Sequence, residues 1–197
     1  MKHLLLLAVV LAMATTAFAS PCMFTSAPVG PCTEGDKDFS VFTINPGLPA
    51  GTTVSIAQSG PNVYEVKFNN DAGIKNAFNF TYTVTLNGLC PTCFISEVDA
   101  GITGGVNPAL LETHVTPLVP AGAPQTGNTT QVGGTLQFTG LNATSVEIFN
   151  HYTGNTVHYA TTITNTIIQN TPEPLTVGLT GLGLAVFGLV ARRKFAR

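Results

Sequence analysis

The sequence contains no tryptophan, and charged residues make up only 9% of it. The first absence removes the most common stacking platform for sugar rings, leaving Tyr64, Tyr152 and Tyr159 as substitutes. No arginine occurs before Arg192. Between positions 20 and 171 stand nine acids against three lysines, Lys37, Lys67 and Lys75. Six net negative charges on a body of that size repel phosphate backbones, which excludes nucleic acid as a partner. Catalytic signatures are missing as well. There is no HExxH, no Gly-x-Ser-x-Gly and no glycine-rich phosphate cradle. The body histidines, His114, His151 and His158, fall at an expected helix end, a loop or strand end, and a strand face. No spacing marks them as part of a catalytic set, which could be assembled only through space, and no cofactor motif accompanies them.

What is present begins with an N-terminal export signal. In MKHLLLLAVVLAMATTAFA, Lys2 is followed by an apolar run and then by Ala17-Phe18-Ala19, the small residues that signal peptidase cuts after. Residues 1–19 therefore read as a signal peptide, and Ser20 as the start of the mature chain. Cys22 follows Ser20-Pro21, not the small-residue lead-in of a lipidated cysteine. Export places the four cysteines in a compartment that permits disulfides. About 150 residues remain between the two ends, enough for one domain with its own core.

The body alternates in the manner of strands. Residues 20–37 are rich in Pro, Gly, Ser and Cys and read as irregular. In VYEVKF, Tyr64, Val66 and Phe68 point one way and Glu65 and Lys67 the other. FNFTYTVTL sets Phe78, Phe80, Tyr82, Val84 and Leu86 against Asn79, Thr81, Thr83 and Thr85. No helix can present that period-two pattern as one apolar stripe. Further strands are expected over 39–44 (apolar on both faces), 52–57, 94–98, around Leu136 and Phe138, around Val146 and Ile148, and over 156–168. In the last of these, Val157, Tyr159, Thr161 and Ile163 share one face. NPALLETH, 107–114, suggests a helical turn or two. The Pro- and Gly-rich stretch 116–134 suggests a long loop or a linker, with two subdomains as the alternative. Some eight short strands joined by turns predict an all-β domain over 38–170, a β-sandwich or a jelly-roll-like variant.

Several groups offer chemistry. Cys22, Cys32, Cys90 and Cys93 allow three disulfide pairings, of which Cys22–Cys32 with Cys90–Cys93 is the simplest. The CPTC element follows an Asn-Gly turn and precedes a strand, not the helix start that would favour a redox thiolate. Glu34, Asp36 and Asp38 form one oxygen-rich cluster and Asn69, Asn70 and Asp71 another. Both are calcium candidates, though neither spacing reproduces a complete calcium loop, and no metal is assigned. Thr81, Thr83 and Thr85 make a hydroxyl ladder that would suit ordered water or carbohydrate if a neighbouring strand matched it.

The C-terminus, TPEPLTVGLTGLGLAVFGLVARRKFAR, is the most specific segment. Residues 175–191 carry no charge and as a helix would span about 25 Å, close to the ~30 Å bilayer core. Arg192, Arg193 and Lys194 stop it and by the positive-inside tendency stay cytoplasmic, leaving the body outside. A buried core helix is the alternative. Pro172-Glu173-Pro174 stands immediately before the span, and Gly178, Gly181, Gly183 and Gly188 lie within it. The tail, 171–197, resembles the PEP-CTERM sorting signal of exported bacterial proteins, which combines a Pro-Glu-Pro motif, a glycine-containing transmembrane stretch and a terminal arginine cluster. The resemblance implies recognition by an exosortase-like sorting enzyme, removal or exchange of the tail near Pro172, Glu173 and Pro174, and delivery to the envelope, cell surface or exopolysaccharide matrix. It covers only these last residues and implies nothing about the body.

The expected protein is thus an exported, membrane-held precursor whose mature form is a non-enzymatic surface or matrix component, with signal peptidase, a sorting enzyme and matrix polysaccharide as partners. A carbohydrate- or calcium-binding module is the second reading, and a secreted hydrolase the third.

Overall fold

The structure, a computed structural model, describes residues 22–25, 31–88 and 90–171. The signal-peptide residues Ala17, Ala19 and Ser20 lie outside this range. So do Pro172, Glu173 and Pro174, the 175–191 span, and Arg192, Arg193 and Lys194. No helix among the described residues is long and apolar enough to cross a membrane.

The described chain is all β. Twelve strands follow one another: β1 (Cys22–Phe24), β2 (Cys32–Glu34), β3 (Lys37–Asn45), β4 (Thr53–Gly60), β5 (Val63–Ile74), β6 (Phe78–Leu86), β7 (Phe94–Val106), β8 (Leu110–Val119), β9 (Gln125–Thr129), β10 (Thr135–Ala143), β11 (Ser145–Thr153) and β12 (Tyr159–Asn170). They form two six-stranded sheets, sheet I in the order β1-β4-β5-β12-β7-β10 and sheet II in the order β2-β3-β6-β11-β8-β9. All pairings are antiparallel. From β5 to β8 and again from β9 to β12 the chain changes sheet at every connection. The result is a sandwich of jelly-roll-like winding.

In β5 and β6 the inward faces are those that the alternation indicates. Tyr64, Val66 and Phe68 of β5 meet Phe78, Phe80, Tyr82 and Val84 of β6 in a single core shared by both sheets. Phe68 and Phe80 bring their ring centroids to 4.0 Å, and Phe42 stacks on Tyr82 at 5.2 Å. Each fully buried aromatic or aliphatic side chain stabilises the fold by about 1.5–3 kcal/mol. Tyr152 ties strand ends together, its hydroxyl donating to Ile74 O at 2.9 Å and accepting from Ala160 N at 2.7 Å. One disulfide, Cys22–Cys32, joins the edge strand of sheet I to that of sheet II, and the other, Cys90–Cys93, closes the turn before β7.

Four local expectations change. The two-faced apolar pattern of 39–44 arises from a β-bulge: three steps along β3, from Ser40 to Thr43, oppose two along β6, from Thr83 to Thr81. Phe39 is fully buried before the bulge. Phe42 and Ile44 face the core after it, and Val41 is expelled to solvent. NPALLETH is not helical. After the Asn107-Pro108 turn, Leu111, Thr113 and Val115 point inward and Glu112 and His114 outward as β8, consistent with the β-branched content there. The 116–134 stretch is not a loop throughout, because β8 continues to Val119 and β9 occupies Gln125–Thr129. β9 is polar on both faces because it is an edge strand. Gly127 lies where a Cβ would press on Leu136 and Phe138, which brings β9 close to β10. Finally, β7 runs on to Val106, and β12 starts at Tyr159 with Val157 exposed before it.

Candidate functional site

The outer face of sheet I is a groove of about 730 Å³. Its lining follows from strand register. One row across the sheet reads Thr53, Asn69, Thr162, Thr103 through β4, β5, β12 and β7. The next reads Ser55, Lys67, Thr164, Gly101, Thr135 and continues into β10. A third places Glu65 beside Thr166 and Thr166 beside Asp99. Strands stand about 4.8 Å apart, so a five-strand row runs about 19 Å. Gly101 presents no side chain between Thr164 and Thr135, which deepens the floor there. Met23 of β1, opposite Ser55, forms the lip at one edge.

The polar groups of the groove are partly pre-organised. Thr162 Oγ1 donates to Asn69 Oδ1 at 2.8 Å, and Asn69 Nδ2 donates to Asp71 Oδ1 at 3.0 Å. Lys67 pairs with Glu65 at 2.6 Å. Asp99 has no partner for its buried Oδ1. Burial, reinforced by the neighbouring Glu97 carboxyl, pushes its own carboxyl up to about 6. The site thus offers hydroxyls, an amide, an ammonium and carboxylates, and no aromatic side chain lines it. Such a surface can exchange hydrogen bonds with a polar ligand and offers no ring face for stacking.

Of the residues singled out from sequence, Asn69 lines the groove and Asp71 accepts from it, while the others fall elsewhere. Thr81, Thr83 and Thr85 lie on the outer face of sheet II and line no part of this groove. Thr81 sits in a row with Thr43, Phe149, His114 and Thr126, and Thr85 shares a 2.9 Å hydrogen bond with Ser145. Glu34, Asp36 and Asp38 diverge. Glu34 is buried, Asp36 turns toward Lys37 and Tyr64, and Asp38 accepts from Thr33 at 2.7 Å. Asn70 is buried and donates to Ala50 O and Thr52 Oγ1, and its Oδ1 accepts from Ala72 N. Among the described residues no three or more His, Cys, Asp or Glu side chains converge as a metal site.

Sheet II carries one series with the look of a relay. His114 bonds Glu112 at 3.0 Å through Nε2 and Thr126 at 3.0 Å through Nδ1. All three residues stand on an open strand face, and β8 is laddered on both sides, by β11 and β9. Its backbone amides are therefore committed to the sheet rather than aimed at a developing oxyanion. His114 instead meets the Phe149 ring edge-on at 5.4 Å.

No family model and no curated protein matches the chain. Among solved structures, a family 61 carbohydrate-binding module in complex with β-1,4-galactotriose is similar with a TM-score of 0.33 and 10% identity, over 79% of this chain and 90% of that one. A glycosylation-associated protein complex from Streptococcus agalactiae is similar with a TM-score of 0.28 and 9% identity, over 59% of this chain and 22% of that one. A family 11 carbohydrate-binding module from Clostridium thermocellum, in complex with a β-1,3-1,4-mixed-linked tetrasaccharide, is similar with a TM-score of 0.29 and 10% identity, over 75% of this chain and 95% of that one. At such scores the likeness says nothing of what this chain binds.

Proposed function

We propose that the protein is an exported, non-catalytic module that binds a neutral extracellular polysaccharide in the sheet I groove. The observation that carries this reading is the set of register rows that align Thr162, Thr164 and Thr166 with Asn69, Lys67 and Asp99 along one elongated depression. A polysaccharide presents repeated hydroxyls along an extended chain, and an elongated floor of hydroxyls, amide and charge matches that repetition. The net negative body disfavours polyanions, so the preferred polymer is neutral. With no aromatic platform in the groove, recognition rests on hydrogen bonds and affinity is modest.

Calorimetry of the full chain against neutral and uronic-acid polysaccharides tests this. Saturable heat with a neutral polymer and none with the acidic one is the expected result. Silence with both ends the proposal. Release of reducing ends during the titration would instead favour the hydrolase reading.

The same proposal includes the route. The signal peptide is removed before Ser20, and the tail is processed near Pro172, Glu173 and Pro174 by an exosortase-like enzyme, which delivers the body to the envelope or matrix. Replacing that tripeptide with alanines should leave the protein exported but held in the membrane as a precursor. An intact Arg197 terminus in matrix-released protein, read by mass spectrometry, would rule out processing.

A further inference from the structure

The most deeply buried charge among the described residues lies outside the groove. Lys37, the first residue of β3, is fully buried. Its Nζ donates to Asp36 Oδ1 at 2.9 Å and sits 3.7 Å from the centroid of the Tyr64 ring. It also donates to Oε1 of Gln169, a buried residue near the end of β12. Gln169 Nε2 in turn donates to Asp36 Oδ2 at 2.8 Å. One carboxylate therefore holds both the amine of Lys37 and the amide nitrogen of Gln169, one on each oxygen. Tyr64 fixes that carboxylate by donating its hydroxyl to Oδ1 at 2.9 Å. The β2–β3 turn supports the arrangement. Gly35 has φ +59°, and a Cβ there would lie 2.5 Å from the Tyr64 hydroxyl, so only glycine lets Asp36 reach this position.

Buried lysines are ordinarily paired with a carboxylate, and Asp36 alone would satisfy that need. The added amide sets its carbonyl oxygen against the amine and its nitrogen against the carboxylate, so the three groups that an aminolysis needs stand side by side. We propose that Lys37 and Gln169 join in an intramolecular isopeptide bond, through attack of Nζ on Cδ and loss of ammonia. The new Nζ–Cδ bond forms and the Cδ–Nε2 bond breaks. The Lys37 ammonium gives up two protons in turn to Asp36 Oδ1, and Asp36 passes both from Oδ2 to the departing nitrogen, which leaves as ammonium, so the carboxylate ends as it began. No electrons are exchanged with any other reagent.

The electrostatics agree. Burial pushes the Lys37 ammonium below its ordinary value, with Asp36 opposing, which brings the nucleophilic amine within reach. Burial works to raise the Asp36 carboxyl, but bonds from Lys37 and Gln169 outweigh it and hold the group below its ordinary value, ionised. Burial and Asp36 push the Tyr64 phenol up to about 12, so it stays a donor. The bond would link residues 132 positions apart, on opposite sheets, from β3 of sheet II to the interior strand β12 of sheet I.

Peptide mass spectrometry of the full-length protein, unfolded and with disulfides reduced, decides the matter. A protease cutting after glutamate frees Lys37 on the segment between Glu34 and Glu65, and Gln169 on the segment that begins after Glu147. The expected product is one joined species with the summed mass less one ammonia. Trypsin should fail to cut after Lys37. Two separate peptides at unmodified mass would overturn the proposal whatever any variant does. In Asp36→Asn, checked for folding by circular dichroism, the joined species should disappear. Its persistence there would overturn the proton relay.

Discussion

The side-chain amide of Asn165, on β12, donates to the hydroxyl of Tyr82, on β6, at 2.8 Å across the interior of the sandwich. Both residues are buried, and the amide oxygen of Asn165 has no partner. Removing the phenolic oxygen strands the donor as well. Tyr82→Phe should therefore lower stability by about 1–3 kcal/mol, the cost of a buried polar group left unpaired. Replacing both partners with apolar groups removes that cost, so Asn165→Leu in the Tyr82→Phe background should recover most of the loss. Urea unfolding of the four proteins of this cycle measures it. A double variant no more stable than Tyr82→Phe alone would show that the pair is not coupled.

Val41 is a strained residue at an exposed position. Its φ of 55° lies in the left-handed region, and its side chain is 69% exposed. A β-branched residue there costs about 1–2 kcal/mol relative to ordinary backbone geometry, whereas asparagine tolerates the conformation far better. Val41→Asn should stabilise the protein by roughly 0.5–1 kcal/mol, seen as a higher urea midpoint with an unchanged slope. An unchanged or lower midpoint would mean that the bulge is not where the strain resides.

How far the sequence reveals the molecule depends on whether a feature is local. Tyr64, Val66 and Phe68 against Glu65 and Lys67 give strand and buried face together, because alternation is a property of neighbouring residues. The bulge at Val41 breaks alternation through pairing with β6, which the residues 39–44 do not carry. The same holds for β9, whose Thr, Gly and Asn composition is that of a loop until β8 pairs with it. The site is less legible still. Thr81, Thr83 and Thr85 and Thr162, Thr164 and Thr166 are equivalent ladders by sequence. Alternation alone sets Tyr159, Thr161 and Ile163 on one face, but a bulge between Ala160 and Thr162 breaks that phase, leaving Ile163 buried and Thr162, Thr164 and Thr166 outward. Which ladder lines a groove depends on neighbours such as Gly101, more than sixty positions away and set opposite Thr164 only by register.

Asp99 makes stability depend on pH. Burial and Glu97 raise its carboxyl from the ordinary 3.8 to about 6. Between those values the folded protein binds more protons than the unfolded chain, so stability falls as pH rises through this window. The penalty is complete above about 6 and absent below the ordinary value. Asp99→Asn should therefore be more stable than the native protein at neutral pH, with the gap closing as pH drops toward 4. Thermal melts at several pH values test this. A gap that stays constant across the window would show that Asp99 is not the titrating group.

The groove makes a prediction that separates the two threonine ladders. Thr164 sits at the centre of the lining, with Lys67 on one side and Gly101 on the other. Its hydroxyl faces outward, so Thr164→Ala should leave stability within about 0.5 kcal/mol of the native protein. If that hydroxyl hydrogen-bonds a polysaccharide, the loss of about 1 kcal/mol weakens binding about five-fold. Lys67→Ala should weaken it further, since hydrogen bonds from a charged donor contribute about 1.5–3 kcal/mol. Thr81→Ala, on the opposite sheet, should bind as the native protein does. Calorimetry against the same neutral polymer distinguishes the outcomes. Equal affinities for Thr164→Ala and the native protein, with Thr81→Ala impaired, would move the site to sheet II, where Phe149 and His114 share a row with Thr81.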